Sequence, residues 1–101
     1  MHHAQPEGFL ATPLSGMGPG ILVLHPWWGL NVTIKGICTR LADAGFSAFA
    51  PDLYHGKLAV TIPQAESLSS ALDGEQAMRD VLAGVVFLSQ HCTVADQGLA
   101  V

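Results

Sequence analysis

The chain has 101 residues and a formal net charge of −4, and half of its residues are hydrophobic while only 12% are charged. This composition excludes an extended disordered chain, because such chains carry little apolar surface. The acidic balance and the lack of a Lys/Arg run exclude a typical nucleic-acid footprint or a patch for anionic membranes. We therefore expect one domain at most, with neither nucleic acid nor membrane as a partner.

Signals for export or membrane insertion are missing from the sequence as given. The start, MHHAQPEGF, has neither a basic segment nor an apolar one, so no signal peptide is visible. The longest apolar run, from Gly20 to Leu24, is far shorter than the ~20 residues of a membrane span. We expect a cytoplasmic protein in which Cys38 and Cys92 are reduced structural thiols rather than a disulfide.

The first half of the chain predicts two strands and a helix before a further strand. Residues 7–12 form a short edge-strand candidate, and the apolar run 20–25 is typical of a strand covered on both faces. The next segment has helical spacing, with Asn31 as the N-cap and Gly45 as the terminator. Residues 46–50 then predict a second buried strand. The helix residues expected to share a buried face are Ile34, Ile37, Cys38 and Leu41.

The second half predicts two helices and the start of another strand. Thr61 with Gln64 is typical of a capping box for a helix that ends near Leu72. Asp73 with Gln76 predicts a second box, for a longer helix that ends near Gln90. Residues 99–101 resemble the beginning of a third buried strand. The expected apolar stripe of the longer helix consists of Met78, Val81, Leu82, Val85 and Leu88.

These elements predict an α/β fold, a partial three-layer α/β/α arrangement with a mainly parallel sheet, because helices connect the last three strands. Ligands of such sheets bind at the carboxyl ends of the strands. Two loops there are rich in aromatic and polar-tipped side chains, His25–Gly29 and Pro51–Gly56. Since both follow parallel strands, we expect them to share one rim of the sheet.

The runs ILVLHPWWGLN, RLADAGF and AFAPDLYHGK resemble the N-terminal part of dienelactone hydrolases, a branch of the α/β-hydrolase fold. The resemblance covers nearly the whole chain. It implies an ester or lactone hydrolase without a cofactor, whose Ser or Cys nucleophile follows the strand beginning at Leu99. Residues 1–101 would then form a single incomplete domain that ends before the nucleophile elbow, and this chain alone would be inactive. The acid and the catalytic histidine would also lie outside it.

The resemblance assigns functional roles to the loop residues according to their positions in the family motif. Trp27 would supply a backbone N–H of the oxyanion hole, and we interpret Trp28, Tyr54 and His55 as substrate-binding residues. Pro26 stands where founding members carry a Glu that contacts the nucleophile, so serine and cysteine both stay open as nucleophiles.

For two further residues of these loops we expect structural roles. The resemblance suggests that His25 orients its loop by hydrogen bonding. We favour a satisfied structural histidine at the strand end instead, since no nucleophile accompanies it. Asp52 is expected to bind backbone N–H groups within its own turn.

Apart from the resemblance, the sequence contains no complete catalytic or metal site. The serines are predicted within helices, a strand or a turn, and none stands at a strand-to-helix elbow. The five histidines have no metal-ligand spacing, so we expect no metal. Two alternatives to the hydrolase stay open: a stand-alone α/β module that binds a ligand or partner, and an inactive truncated product. An uncovered sheet edge would favour self-association in the stand-alone case.

Overall fold

The computed structural model describes residues 5–14, 16, 18–91 and 99–100, the last two and residue 91 by their backbone alone. The predicted order of strands and helices is confirmed, although Val101 and Cys92 lie outside the described residues. The elements are β1 Gly8–Ala11, β2 Gly20–Leu22, α1 Val32–Asp43, β3 Ser47–Pro51, α2 Ile62–Ala71, α3 Gly74–His91 and β4 Leu99–Ala100.

The four strands form one sheet in the order β1-β3-β2-β4. Strand β2 pairs in parallel with both β3 and β4, while β1 is antiparallel to β3. The mainly parallel sheet is thus confirmed. Strand β2 ends at Leu22 instead of His25, although the Val23 N–H still donates to the Phe49 carbonyl at 2.9 Å. Beyond Val23 the chain leaves the ladder to form the first aromatic loop.

The helices cover both faces of the sheet, as three layers require. On one face, α1 buries Ile34 and Cys38 against Ala48 and Ala50 of β3. On the other face, α3 packs against Phe49, which points the opposite way because side chains alternate along a strand. Among the described residues no helix is long and apolar enough to cross a membrane.

Helix α1 begins and ends as the sequence predicts, but its buried face differs by one residue. The Asn31 side chain accepts a hydrogen bond from the Ile34 N–H at 3.2 Å, and Gly45 follows the helix with φ +103°. Ile37 was expected on the buried face, but it is 38% exposed and Ala42 is buried in its place. The core stripe therefore follows positions 34, 38 and 42, a spacing of four that a helix of 3.6 residues per turn keeps on one side.

The buried stripe of α3 was predicted wrongly in part. Met78 and Leu82 are 58% and 54% exposed, whereas Phe87 and Leu88 are buried. The helix approaches the sheet at Gly84, where a Cβ atom would lie only 3.0 Å from Leu22 Cδ1. The missing side chain of Gly84 permits this close approach, and Val81, Val85 and Leu88 of the predicted stripe pack on the same side.

The two predicted capping boxes are half formed. Thr61 Oγ1 accepts from the Gln64 N–H at 3.3 Å, but the Gln64 side chain accepts from the Val60 N–H instead of reaching Thr61. Asp73 Oδ1 accepts from the Glu75 N–H at 3.1 Å, and Gln76 is turned along the helix, where it donates to Asp80. In both cases the N-cap side chain acts as expected, and the glutamine has found another partner.

Candidate active-site rim

The loops that follow β2 and β3 lie side by side, as the sequence predicts. Three hydrogen bonds join them: the Leu53 N–H to His25 Nε2 at 3.0 Å, the Tyr54 hydroxyl to the Trp27 carbonyl at 3.0 Å, and the Ala59 N–H to the Trp28 carbonyl at 3.1 Å. We call residues 23–31 and 52–60 together the rim. Since β2 and β3 are neighbouring parallel strands, the rim stands at their carboxyl ends.

The first loop contains a tight turn closed by the Gly29 N–H, which donates to the Pro26 carbonyl at 3.0 Å. Gly29 has φ +95°, and a Cβ atom there would lie 3.0 Å from the Lys57 carbonyl oxygen. Only glycine satisfies both conditions without strain. The N–H groups of Trp27 and Trp28, at the centre of the turn, have no hydrogen-bond acceptor in the described part of the chain.

His25 connects the two loops through both of its ring nitrogens. Nδ1 lies 2.9 Å from the Pro26 carbonyl oxygen, which can only accept, and Nε2 lies 3.0 Å from the Leu53 N–H, which can only donate. The neutral ring with its proton on Nδ1 satisfies both contacts at once. The ring also packs on Tyr54, with centroids 4.9 Å apart. Both ring nitrogens are therefore satisfied, as expected for a structural histidine, and the same two contacts hold the loop in place, as the resemblance suggests.

The second loop is shaped by Asp52. Its Oδ1 accepts from the Tyr54 N–H at 3.1 Å, and its Oδ2 accepts from the Gly56 N–H at 2.7 Å. The Asp52 N–H in turn donates to the Glu7 carbonyl at 3.0 Å, which fastens the loop to the residue before β1. The carboxylate therefore serves its own turn, as predicted.

The aromatic side chains of the rim differ in exposure. Trp27 is 40% exposed, and its indole N–H donates to Ser69 Oγ of α2 at 2.9 Å. Trp28 is half-buried and meets Trp27 edge to face, with centroids 5.6 Å apart. Tyr54 is buried, because its ring fills the space between the two loops.

His55, also on the second loop, is surrounded by negative charge. Its backbone is left-handed, with φ +51°, and the ring lies between two carboxylates. Nδ1 is 2.8 Å from Glu7 Oε1, and Nε2 is 2.9 Å from Asp80 Oδ2. The hydrogen bond to Glu7, together with the negative charges of Asp80 and Glu7, raises the pKa of His55 above its ordinary value.

Two adjoining cavities open between the second loop and α2. One, of about 200 Å³, is lined by Tyr54 and His55 and by the apolar side chains of Leu68 and Leu72. The other, of about 340 Å³, is lined by Leu58 and Gln64. Lys57 contributes to both cavities and brings a positive charge to their shared wall. Both cavities are wide open to solvent, and their walls combine apolar side chains with a few polar groups.

The described residues contain no serine or cysteine at a strand-to-helix elbow. Ser67, Ser69, Ser70 and Ser89 lie in helices and Ser47 is buried in β3, while Ser15 lies outside the described residues. Cys38 is a free, fully buried thiol whose pKa is raised by burial, which disfavours the thiolate. No group of three His, Cys, Asp or Glu within the described ranges could hold a metal ion.

Three residues in the surroundings of the rim were not found from the sequence. Ser69 is 42 positions from the indole that it binds, and Glu7 and Asp80 are 48 and 25 positions from His55. No local spacing pattern signals such pairs, because the partners come from different elements. Only the strand order, which brings β1 beside β3, could have suggested the link between Glu7 and the second loop.

Comparison with known proteins identifies the family. The sequence profile of the dienelactone hydrolase family matches residues 7–97. The chain belongs to this family. A crystal structure of a putative dienelactone hydrolase from Klebsiella pneumoniae is 26% identical and superimposes with a TM-score of 0.75, covering 91% of this chain and 41% of that one. The dienelactone hydrolase fold expected from the sequence is therefore confirmed.

Two curated relatives of this dienelactone hydrolase family member carry names of hydrolases. A putative carboxymethylenebutenolidase from Aquifex aeolicus is 54% identical over 56 residues, which is 52% of this chain and 24% of the relative. A probable 2-oxo-3-(5-oxofuran-2-ylidene)propanoate lactonase from Bradyrhizobium sp is 32% identical over 97 residues, which is 92% of this chain and 39% of the relative. The chain spans less than half the length of these relatives.

Proposed function

We propose that these 101 residues supply the oxyanion side of an ester- or lactone-hydrolysing site whose Ser or Cys nucleophile lies outside them. In this reaction the nucleophile attacks the carbonyl carbon, and the carbonyl oxygen gains a negative charge in the tetrahedral intermediate. A positioned N–H that meets this oxygen contributes ~3 kcal/mol to the stability of the transition state. Collapse of the intermediate gives an acyl-enzyme, which water then hydrolyses.

The observation that carries the proposal is the Trp27 N–H. It stands in the turn closed by Gly29, beyond the end of a central strand, and has no acceptor in the described part of the chain. An N–H that is held in place and still unpaired is what an oxyanion requires. The family resemblance assigns the donor to the same residue.

The substrate side of the proposal rests on the cavities beside the rim. Tyr54 and His55 line the cavity of about 200 Å³. Trp28 stands next to the donor, within the same turn. We therefore propose Trp28, Tyr54 and His55 as residues that contact the substrate, a small ester or lactone. Leu68 and Leu72 would pack against its apolar part, since they form the cavity wall.

The first test is to express two polypeptides, the 101-residue chain and the in-frame product that continues past Val101. Hydrolysis of p-nitrophenyl acetate and of a five-membered enol lactone is measured for both. We expect turnover and a covalent acyl adduct, detected by mass spectrometry, only in the longer product. Failure of the longer product to hydrolyse either substrate would contradict the hydrolase proposal. Turnover by the shorter chain would show that its nucleophile lies within the 101 residues.

A pair of variants in the longer product tests the donor itself. Trp27→Pro removes the indole and the backbone N–H, whereas Trp27→Ala removes the indole alone. Proline is compatible with this place, the second residue of a tight turn. We expect kcat to fall about 10²- to 10³-fold further in Trp27→Pro than in Trp27→Ala. Equal losses in the two variants would exclude the Trp27 N–H as a donor.

A further inference from the structure

Helix α2 is attached to the rest of the chain more weakly than the other helices. Within the described ranges it packs on none of the strands and on neither α1 nor α3. Of its ten residues only Ala65 is buried, and its side chain is a single methyl group. By comparison, α1 buries Ile34 and Cys38 against β3. A segment with so few buried apolar contacts belongs to the low-stability end of a fold, from which moving elements are drawn.

The same helix forms one wall of both cavities beside the rim. Leu68 of α2 lines both of them, and Leu72, just after the helix, lines the smaller one. The second loop forms the opposite wall, with Lys57 in both cavities. This loop is joined to the first by hydrogen bonds that include those of Leu53 and Tyr54. The distance between the walls therefore depends on the position of α2, because the loop is the better fixed of the two.

One hydrogen bond between distant residues fastens α2 to the rim, and we call it the latch. The Trp27 indole N–H donates to Ser69 Oγ at 2.9 Å. The Ser69 hydroxyl directs its own proton to the Glu66 carbonyl at 3.2 Å, which leaves its oxygen free to accept from the indole. The other hydrogen bonds that α2 makes beyond its own residues include those to Val60 and Thr61, directly before it. They hold the start of the helix and not its position over the cavities.

We propose that Ser69 limits the size of the substrate: through the latch it fixes α2, the movable wall of the two cavities. The inference rests on the proposed function, because it gives the substrate-binding side of that site its dimensions. Ser69 is a positioning residue, since it acts through α2 and the Trp27 indole and not on the reacting carbonyl. Without the latch α2 moves away from the second loop, and the cavities of about 200 and 340 Å³ widen.

The position of α2 is measured first, in the 101-residue chain, from residual dipolar couplings of the backbone amides. Ser69→Ala removes the acceptor of the latch, and Trp27→Phe removes the donor but keeps an aromatic ring. Ser70→Ala is the matched control, because it makes the same change at the exposed neighbouring residue. Ser69→Thr keeps the hydroxyl. We expect both latch variants to lose part of the couplings in α2 while α1 and β3 keep theirs, and Ser70→Ala and Ser69→Thr to match the wild type.

Three results of this measurement would overturn the proposal. Unchanged couplings in α2 in both latch variants would show that the helix is held without the bond. Equal changes in α1, α2 and β3 would indicate a general loss of structure. The double variant Trp27→Phe/Ser69→Ala should match the single variants, since both remove one and the same bond. A further change in the double variant would show that the two residues act separately.

The size limit is measured in the longer in-frame product, with p-nitrophenyl acetate and p-nitrophenyl hexanoate. A hydrogen bond of ordinary net strength shifts the position of α2 about 2- to 10-fold, so the ratio of kcat/KM for hexanoate over acetate should rise by this factor in Ser69→Ala. We expect the gain in KM for the hexanoate, with kcat for the acetate unchanged. Ser70→Ala and Ser69→Thr should keep the wild-type ratio.

The outcomes separate this inference from the proposed function. An unchanged ratio in Ser69→Ala, in a product that hydrolyses both esters, would refute the size limit and leave the hydrolase proposal standing. If the longer product hydrolyses neither ester, the proposed function fails and the size limit fails with it. The couplings of the 101-residue chain still decide in that case whether Ser69 holds α2.

Discussion

Replacement of Gly29 by alanine should destabilise the chain, because it combines an unfavourable backbone conformation with a close contact between the two loops of the rim. The backbone at Gly29 has φ +95°, a conformation that costs a residue with a side chain about 1–3 kcal/mol. The added Cβ would lie 3.0 Å from the Lys57 carbonyl oxygen and 3.1 Å from the Tyr54 ring. Such overpacking costs about 1–3 kcal/mol more. The expected loss in the free energy of unfolding is thus about 2–6 kcal/mol, a large part of the ~5–15 kcal/mol of a typical domain.

Two further glycines isolate these contributions. Gly45 has φ +103° with nothing within 4 Å of an added Cβ, so Gly45→Ala should show the backbone cost alone, about 1–3 kcal/mol. Gly36 lies inside α1 with equally open space and an ordinary φ, so Gly36→Ala should stabilise the chain by about 1 kcal/mol.

The assay is urea unfolding followed by both circular dichroism and tryptophan fluorescence. Because both tryptophans of the chain lie beside Gly29, fluorescence reports the rim while circular dichroism reports the helices. Coincident transitions would justify a two-state treatment. If Gly29→Ala and Gly45→Ala lower the free energy of unfolding by the same amount, the two loops do not approach each other closely at Gly29.

Three other predictions concern charge, packing and the thiol. The pKa of His55 in the folded chain is raised above its ordinary value of 6.5. The protonated ring therefore makes its full contribution to stability below pH 6.5, and this contribution is lost as the pH rises through the higher pKa of the folded state. The free energy of unfolding should therefore fall as pH increases above about 6.5, and His55→Asn, which tolerates the left-handed backbone, should flatten this decline. Leu88→Ala, at a fully buried position of α3, should cost about 2–5 kcal/mol in urea unfolding. Cys38 should react with Ellman's reagent only after the chain is unfolded, measured in a Cys92→Ala background, because it is fully buried and its pKa is raised.

Each of these predictions has a result that would contradict it. Equal pH slopes for wild type and His55→Asn would show that the contacts with Glu7 and Asp80 do not persist in solution. Leu82→Ala is the matched control for Leu88→Ala, since Leu82 is 54% exposed on the same helix and should cost well under half as much. A comparable loss at Leu82 would contradict the orientation of α3. Rapid labelling of Cys38 in buffer would contradict its burial.

The sequence predicted those features that depend on neighbouring residues or on strand order. Asp52 precedes a turn whose N–H groups it can reach, and parallel strands place His25–Gly29 beside Pro51–Gly56. It predicted the face of α3 only in part: Val81, Val85 and Leu88 pack on the sheet as expected, but Met78 and Leu82 do not. Counting apolar residues gives no weight to Gly84, whose small size lets the helix approach Leu22. Periodicity describes which residues share a side, whereas the closest approach of two elements decides which side is buried.

The partners of the rim side chains were also beyond prediction, for a different reason. Trp27 binds Ser69, and His55 lies between Glu7 and Asp80, so every one of these contacts joins separate elements. Such contacts depend on the distance and tilt between elements, which no spacing within a single element encodes. The sequence located the loops, and only the three-dimensional arrangement showed how their side chains are held.

The position of the Trp27 N–H is determined within one pair of neighbouring strands. The bonds that hold its loop run to Leu53, Tyr54 and Ala59, all in the segment that follows β3. The bond from the Trp27 indole to Ser69 extends the same segment into α2. In the proposed reaction the donor therefore needs no rearrangement when charge develops on the substrate, which is the condition under which a single N–H is worth ~3 kcal/mol. It follows that changes in residues 52–60 should alter transition-state stabilisation even though their side chains need not meet the reacting carbonyl.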